Sequence, residues 1–407
     1  MGQIVAGGVQ FETHIEADHR GRILQSGPDS GAVDAFGRAR VSFPFTLFDS
    51  TMRYDKRPDQ WFDSLTGGGT STFLTNESSV AMTVSTASGD TVLRRTKQNL
   101  PYQAGKSLMI LQSFVGATPT SGLTQEVGFF NDDNGVMLRV SGTTLQFVVR
   151  SNTTGSVVED VVNQSDWNID TLSSIDISKA QIFTADIEWL GVGRVRVGFV
   201  VNGEITYCHE FGHFNVLNST YMATAILPLS YRIHNSSSQG SSHTMKHICC
   251  SVLSEGGYEP DGATYSVSHS LASIPNVSGE RITAGIRMAS GRTNNVILPV
   301  KISTAAVSND IILWRLRLNP TLSGVTWTAA SNGRGNVEVT TSGTATGGTV
   351  VDSGFISQDS SATYAMDTAI RLSLGQDASG VSDTLILTVD SGANAQALGM
   401  IGWVEVV

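Results

Sequence analysis

His209-Glu210-Phe211-Gly212-His213 matches the zinc-protease pattern HExxH letter for letter. That chemistry needs a helix, on which residues four apart lie about 6 Å along the axis and share one face. On a strand the two imidazoles also share a face, but roughly 13 Å apart at ~3.3 Å per residue. Ligand bonds of about 2 Å then cannot close one coordination sphere. Gly212 costs a helix about 1 kcal/mol relative to Ala, and no third ligand stands at a recognisable spacing. His234, His243 and His247 are the candidates to test for that role. The spacing therefore predicts a strand running into a turn, with no catalytic and no metal-binding residues in it.

The surrounding residues agree. Val195, Val197, Phe199 and Val201 alternate, Asn202-Gly203 follows, and Ile205, Tyr207, His209 and Phe211 alternate again. Asn-Gly tolerates the positive φ angles of a type I′ turn, so the stretch predicts a β-hairpin with one buried face. Glu210 falls on the other face, toward solvent. Cys208 is expected opposite Tyr207 and His209.

Other candidate chemistry is sparse. Cys208, Cys249 and Cys250 are too few for a disulfide framework and lack a CxxC pair. Buried free thiols are expected; a bridge from Cys208 to one of the pair is the alternative. Asn131-Asp132-Asp133-Asn134 offers oxygens to calcium but lacks the spacing and the glutamate of an EF-hand loop, which favours a solvated turn. No nucleophile elbow, phosphate loop or dinucleotide fingerprint is present, and no cofactor is expected. A pair of scattered carboxylates could still meet in space as a glycosidase would require.

The 407 residues carry a net charge of −10, with only 15% charged, 40% apolar and 42 glycines. That balance argues against a nucleic-acid partner, and nowhere do 18 apolar residues run together as a membrane span requires. No secretory signal opens the chain. Uncharged, Gly-rich alternating sequence suits rigid β-proteins that work outside cells, fibres and carbohydrate-binding modules alike.

The fold class expected is mainly β: an extended N-terminal arm, a lectin-like jelly-roll β-sandwich and a C-terminal antiparallel β-sandwich. The arm covers 1–55. Its spaced aromatics cannot form a core alone and must dock on the body or on another chain. The jelly roll, of the concanavalin or laminin-G kind, covers 56–262, with strand candidates including Ser107–Phe114, Thr144–Arg150, Ile182–Trp189, Met222–Ile233 and Met245–Leu253. A change of character at Pro260-Asp261-Gly262 opens the last domain, 263–407. Its strand candidates include Arg281–Met288, Ile311–Leu318, Ala369–Leu374 and Leu398–Val406. The last of these is apolar enough to expect sheet pairing near a subunit contact.

Three blocks carry a family resemblance. Asp34-Ala35-Phe36-Gly37-Arg38-Ala39-Arg40-Val41-Ser42, with Pro44, Thr46, Leu47, Phe48 and Asp49, forms the first. Trp167-Asn168-Ile169-Asp170, Leu190–Phe199 and Tyr207–Phe211 form the second, and Ser251–Gly257 the third. Over roughly residues 30 to 260 the chain resembles a family of virion structural proteins of tailed bacteriophages, common in phages of aquatic bacteria. The resemblance implies a non-enzymatic accessory fibre, collar or decoration protein, made in the host cytoplasm and released by lysis with the virion. Its implied partners are other virion proteins of head, neck or tail, its own copies as a homotrimer, and a host-surface glycan during attachment. Asp34, Phe36, Arg38, Arg40, Phe43, Phe45 and Phe48 are the implied virion-anchoring residues. A carbohydrate-binding adhesin or a glycan depolymerase is the alternative function.

Overall fold

The computed structural model describes residues 43–259 and most of 262–406; residues 260–261, 272–273, 292–294, 308–309, 331–334, 367–371, 378–379, 392–394 and 407 lie outside the described residues. Before residue 43 it describes two antiparallel hairpins, Gln3–Ala6 with Val9–Glu12 and Ile15–Ala17 with Ile23–Gln25. Residues 1–43 and 44–407 are two separate compact units. Among the described residues there is no α-helix; Thr75–Glu77 and Gln164–Asp166 are single-turn 3₁₀ segments.

Two antiparallel sheets build the first sandwich. The eight-stranded sheet runs from Glu204–Gly212 through Arg194–Val201, Ala180–Ile187, Leu108–Val115 and His243–Ser254 to Ser79–Val84 and Thr70–Leu74. The Phe45–Thr51 strand pairs with the C-terminal half of His243–Ser254. The seven-stranded sheet runs from Val158–Asn163 through Thr144–Ser151, Gly135–Ser141, Leu123–Phe130 and Leu229–Asn235 to Thr91–Thr96 and Trp61–Thr66. Alternation drives the layering: Val136, Leu138 and Val140 are buried in the core between the sheets, while Arg139 pairs with Glu126 and Glu159 away from it. Phe147 of one sheet meets Phe183 and Phe199 of the other at ring distances of 6.2 and 6.1 Å, and Trp167 stacks on Phe147 at 4.2 Å. Aromatic rings thus tie the layers where the second sequence block lies.

The second sandwich repeats the principle. Thr264–Ser268, Ala395–Val406, Val296–Ala306 and Ser361–Ala365 form one sheet in that order, with Asn276–Val277 also paired to Ala395–Val406. The other sheet runs Thr328–Ala329, Val337–Thr340, Arg281–Met288, Thr384–Ser391, Ile312–Leu318, Thr349–Ile356. Trp314 and Trp403 are buried in its core. The closing apolar run does pair into a sheet, but as an interior strand. Ala397, Ile401, Trp403 and Val406 are buried within their own chain, so the run supplies no argument for a subunit contact.

The sandwiches are joined by packing as well as by the chain. Ile226 sits against Val296, Leu298, Val404 and Val406. Gly375 backs onto the Lys97 carbonyl so closely that a Cβ would overlap it. Ser373 Oγ donates to Gln98 Oε1.

Candidate functional site

The HExxH residues lie as a strand and its exit. Glu204–Gly212 is extended, and Asn202 and Gly203 have φ of 52° and 89°, as a type I′ turn requires. His209 Nδ1 accepts the Asn168 backbone N–H at 3.2 Å, and burial holds its pKa below the usual histidine value. His213 Nδ1 bonds the Gly193 carbonyl at 2.7 Å, and its ring stacks on Tyr221 at 4.2 Å. Each imidazole is held by its own backbone partner. Among the described residues no three ligating side chains gather around a common point.

The expected register of the second strand is corrected by a β-bulge. Val197 pairs with His209, but Gly198 pairs with Tyr207, so Cys208 is one residue extra. Beyond the bulge His209 and Phe211 oppose the core residues Val197 and Val195. Before it Tyr207 lies with Arg196, whose guanidinium sits 4.3 Å from the ring centre. Ile205 and Tyr207 therefore do not share the face of His209 and Phe211. Cys208 is itself buried with the core, where burial pushes its thiol up to about 12. All three cysteines are free thiols.

The Trp167–Asp170 block closes the outer edge of this hairpin. Asn168 Nδ2 donates to the Glu210 carbonyl at 2.9 Å, and Glu210 N–H donates to Asn168 Oδ1 at 2.9 Å. Ile169 and Asp170 both donate to the Cys208 carbonyl at 3.0 Å. The Asn131 loop is an Asx turn: its Oδ1 accepts N–H groups of Asp133 and Asn134, while Asn134 Oδ1 accepts those of Asn152 and Ala223. The two carboxamide oxygens thus serve the backbone, and Asp133 Oδ1 accepts from Asn152 Nδ2 at 3.1 Å.

Of the residues assigned to virion anchoring, Asp34, Phe36, Arg38 and Arg40 lie outside the described residues, as do Pro260, Asp261 and positions 369–371 of the expected strands and boundary. Phe43 is 89% exposed. Phe45 and Phe48 stand on the Phe45–Thr51 strand of the body. Phe48 is buried against Trp61, and Phe45 is 41% exposed with its ring stacked on Tyr258 at 5.6 Å. The first and third sequence blocks therefore pair directly: Asp49 opposes Ser251 and Phe48 opposes Val252.

Two groupings carry no mark in the sequence. Arg94 is buried between the sheets of the first sandwich. It donates to Asp63 Oδ1 at 2.6 Å and His247 Nδ1 at 3.1 Å, with Trp61 at 5.2 Å from its guanidinium. His247 is enclosed by Trp61 and Tyr231, and burial drives its pKa well below the ordinary value. The other is a cleft of about 1400 Å³ between the two sandwiches. Phe45 and Tyr258 line it with Arg57, Asp59, Lys97 and Asp383. Asp383 accepts from Asn319 Nδ2 at 2.7 Å and from Gly375 N–H at 3.3 Å, and burial raises its carboxyl above the usual range.

No family model matches the chain, and no curated protein matches it. Solved structures similar to it include the carbohydrate recognition domain of Emp47p, at 10% identity and a TM-score of 0.35, covering 56% of this chain and 99% of that one. The CBM2 module of the evolved Dit of Lactobacillus casei BL23 phage J-1 matches at 7% and 0.38, covering 54% and 100%. A Bacteroides ovatus GH16 protein in complex with a mixed linkage glucan product matches at 9% and 0.37, covering 51% and 100%. Likeness at these scores carries no argument about activity.

Proposed function

We propose that the chain is a non-enzymatic structural component of a tailed-phage virion, an accessory fibre, collar or decoration protein, acting as a homotrimer. The observation that carries this reading is how the sequence blocks of the resemblance are used. Their described residues frame the eight-stranded sheet: the hairpin edge locked by Asn168 on one side, and the Phe45–Thr51 strand paired with the C-terminal half of His243–Ser254 toward the other. Motif residues that build the frame of a body, and not a cluster of titrating groups, suit a structural role. The N-terminal region supports attachment, because residues 1–43 form a compact unit apart from 44–407. Cryo-electron microscopy of the intact particle tests the reading. The expected result is density for the sandwiches at symmetry-related positions on head, neck or tail, three copies together. Particles that lack the chain while the infected cell contains it would sink the proposal.

A further inference from the structure

The cleft lies between the two sandwiches, and ligand sites favour such junctions. At about 1400 Å³ it exceeds the roughly 300–1,000 Å³ that enclose a drug-sized molecule, so its size suits an elongated ligand of several units. One wall offers a flat apolar surface: the Phe45 ring, stacked on Tyr258 by one face. The Tyr258 hydroxyl is buried with no hydrogen-bond partner among the described residues. Around the rings stand donors and acceptors of both kinds, including Gln60, Gln98 and Asn319. Two cations, Arg57 and Lys97, nearly balance three carboxylates, Asp49, Asp59 and Asp383. Among the described residues the Lys97 ammonium makes no salt bridge, whereas Arg57 forks onto Asp59 at 3.2 and 3.0 Å.

We propose that this cleft binds an uncharged oligosaccharide, one sugar ring lying on Phe45 while Lys97, Asp59 and Asn319 hydrogen-bond its hydroxyls. The near balance of charge disfavours an acidic polymer, and mixed donors and acceptors beside an aromatic face match a polyol with an apolar C–H surface. An extended peptide is the competing occupant, since the Phe45–Thr51 strand pairs on one side alone. Strand addition draws specificity from pockets for alternate side chains. Here Leu47 and Phe48 are turned into the core, leaving Phe45 as the exposed ring of that strand. The proposal concerns ligand chemistry and stands whether or not the chain occupies a virion.

The test is titration calorimetry of the full-length chain with neutral hexasaccharides of glucose, galactose, mannose and N-acetylglucosamine, with hexagalacturonate as the acidic control. At least one neutral sugar binds saturably. Phe45→Ala weakens it about tenfold, and Phe45→Trp retains it, since loss of a ring contact is worth on the order of 1 kcal/mol. Thr349→Trp, an exposed position on the opposite wall, fills the space and weakens binding with unchanged thermal stability. Binding of hexagalacturonate alone, no binding of any neutral sugar, or binding untouched by either wall substitution overturns the proposal. So does a crystal structure with a polypeptide strand seated along Phe45–Thr51.

Discussion

The Asn168 carboxamide and the Glu210 backbone form a closed pair of hydrogen bonds, both 2.9 Å, on the outer edge of the eight-stranded sheet. A side-chain amide here replaces one residue of a neighbouring strand, leaving that stretch of edge unavailable to other chains. Asn168→Ala removes both bonds. The expected cost is about 1–3 kcal/mol in denaturant unfolding, at ~0.5–1.5 kcal/mol per bond. Asn168→Asp keeps the acceptor for Glu210 N–H and sets a carboxylate against the Glu210 carbonyl, so it does not restore the loss. A denaturation midpoint unmoved by Asn168→Ala would show that the pair is decorative.

Gly198 makes the bulge. A Cβ there would overlap the Thr206 carbonyl oxygen and crowd Tyr207 Cα at 2.8 Å. Gly198→Ala therefore forces the two strands apart where Cys208 is accommodated. The expected destabilisation is about 1–3 kcal/mol. The Cys208 thiol, buried in the native protein, should then react faster with a thiol reagent under native conditions. Equal reactivity in both proteins would mean that the bulge does not depend on this glycine.

The hairpin turn was legible because Asn-Gly is one of few dipeptides suited to two positive φ angles. The bulge was not, because Tyr207 and His209 keep perfect alternation in sequence while an unpaired Cys208 inverts their faces. Thr144–Ser151 and Leu108–Val115 could be read within a residue because both bury alternate apolar side chains. The edge strands Thr70–Leu74 and Thr349–Ile356 were missed, because they bury almost no side chain and lack the apolar alternation that burial imposes. Arg94 and Arg95 are indistinguishable as letters, yet period-two geometry sends the first into the core. The cleft could not be read at all, since Phe45, Lys97 and Asp383 meet only when two sandwiches pack.

Acid should act through His247. Its folded pKa lies well below the ordinary value, so as pH falls through about 6.5 the unfolded chain takes up the proton first. Its contribution is present in full above that pH and declines below it, by up to about 1.4 kcal/mol per pH unit for one ring. His209 and His269 shift in the same direction and add to the slope. His247→Gln retains an acceptor for Arg94 Nε without titrating. Its stability should vary less between pH 6.5 and 5 than that of the native chain, measured by urea unfolding at each pH. Parallel curves would assign the acid sensitivity to other groups.

Zinc should be absent from the purified protein by elemental analysis, since His209 and His213 bond separate backbone groups. Glu210→Ala loses an ion pair with Arg194 at 3.4 Å between partly exposed side chains, worth about 0–1 kcal/mol. One zinc per chain, lost on replacing either histidine, would revive a metal site.

Where the chain is cut decides the anchoring question. Deleting residues 1–43 removes one compact unit and leaves the other whole. That truncation should fold with an unchanged unfolding midpoint and fail to co-sediment with particles. Deleting 1–50 instead removes Leu47 and Phe48, which are 2% and 5% exposed, and uncovers half of the His243–Ser254 edge. Loss of a large core side chain costs about 2–5 kcal/mol, so losing two approaches the whole stability of a typical domain. The longer deletion should therefore aggregate or unfold. Circular dichroism and light scattering of the two proteins separate a body defect from an assembly defect. If the shorter truncation still joins particles at the native copy number, residues 1–43 are not the anchor.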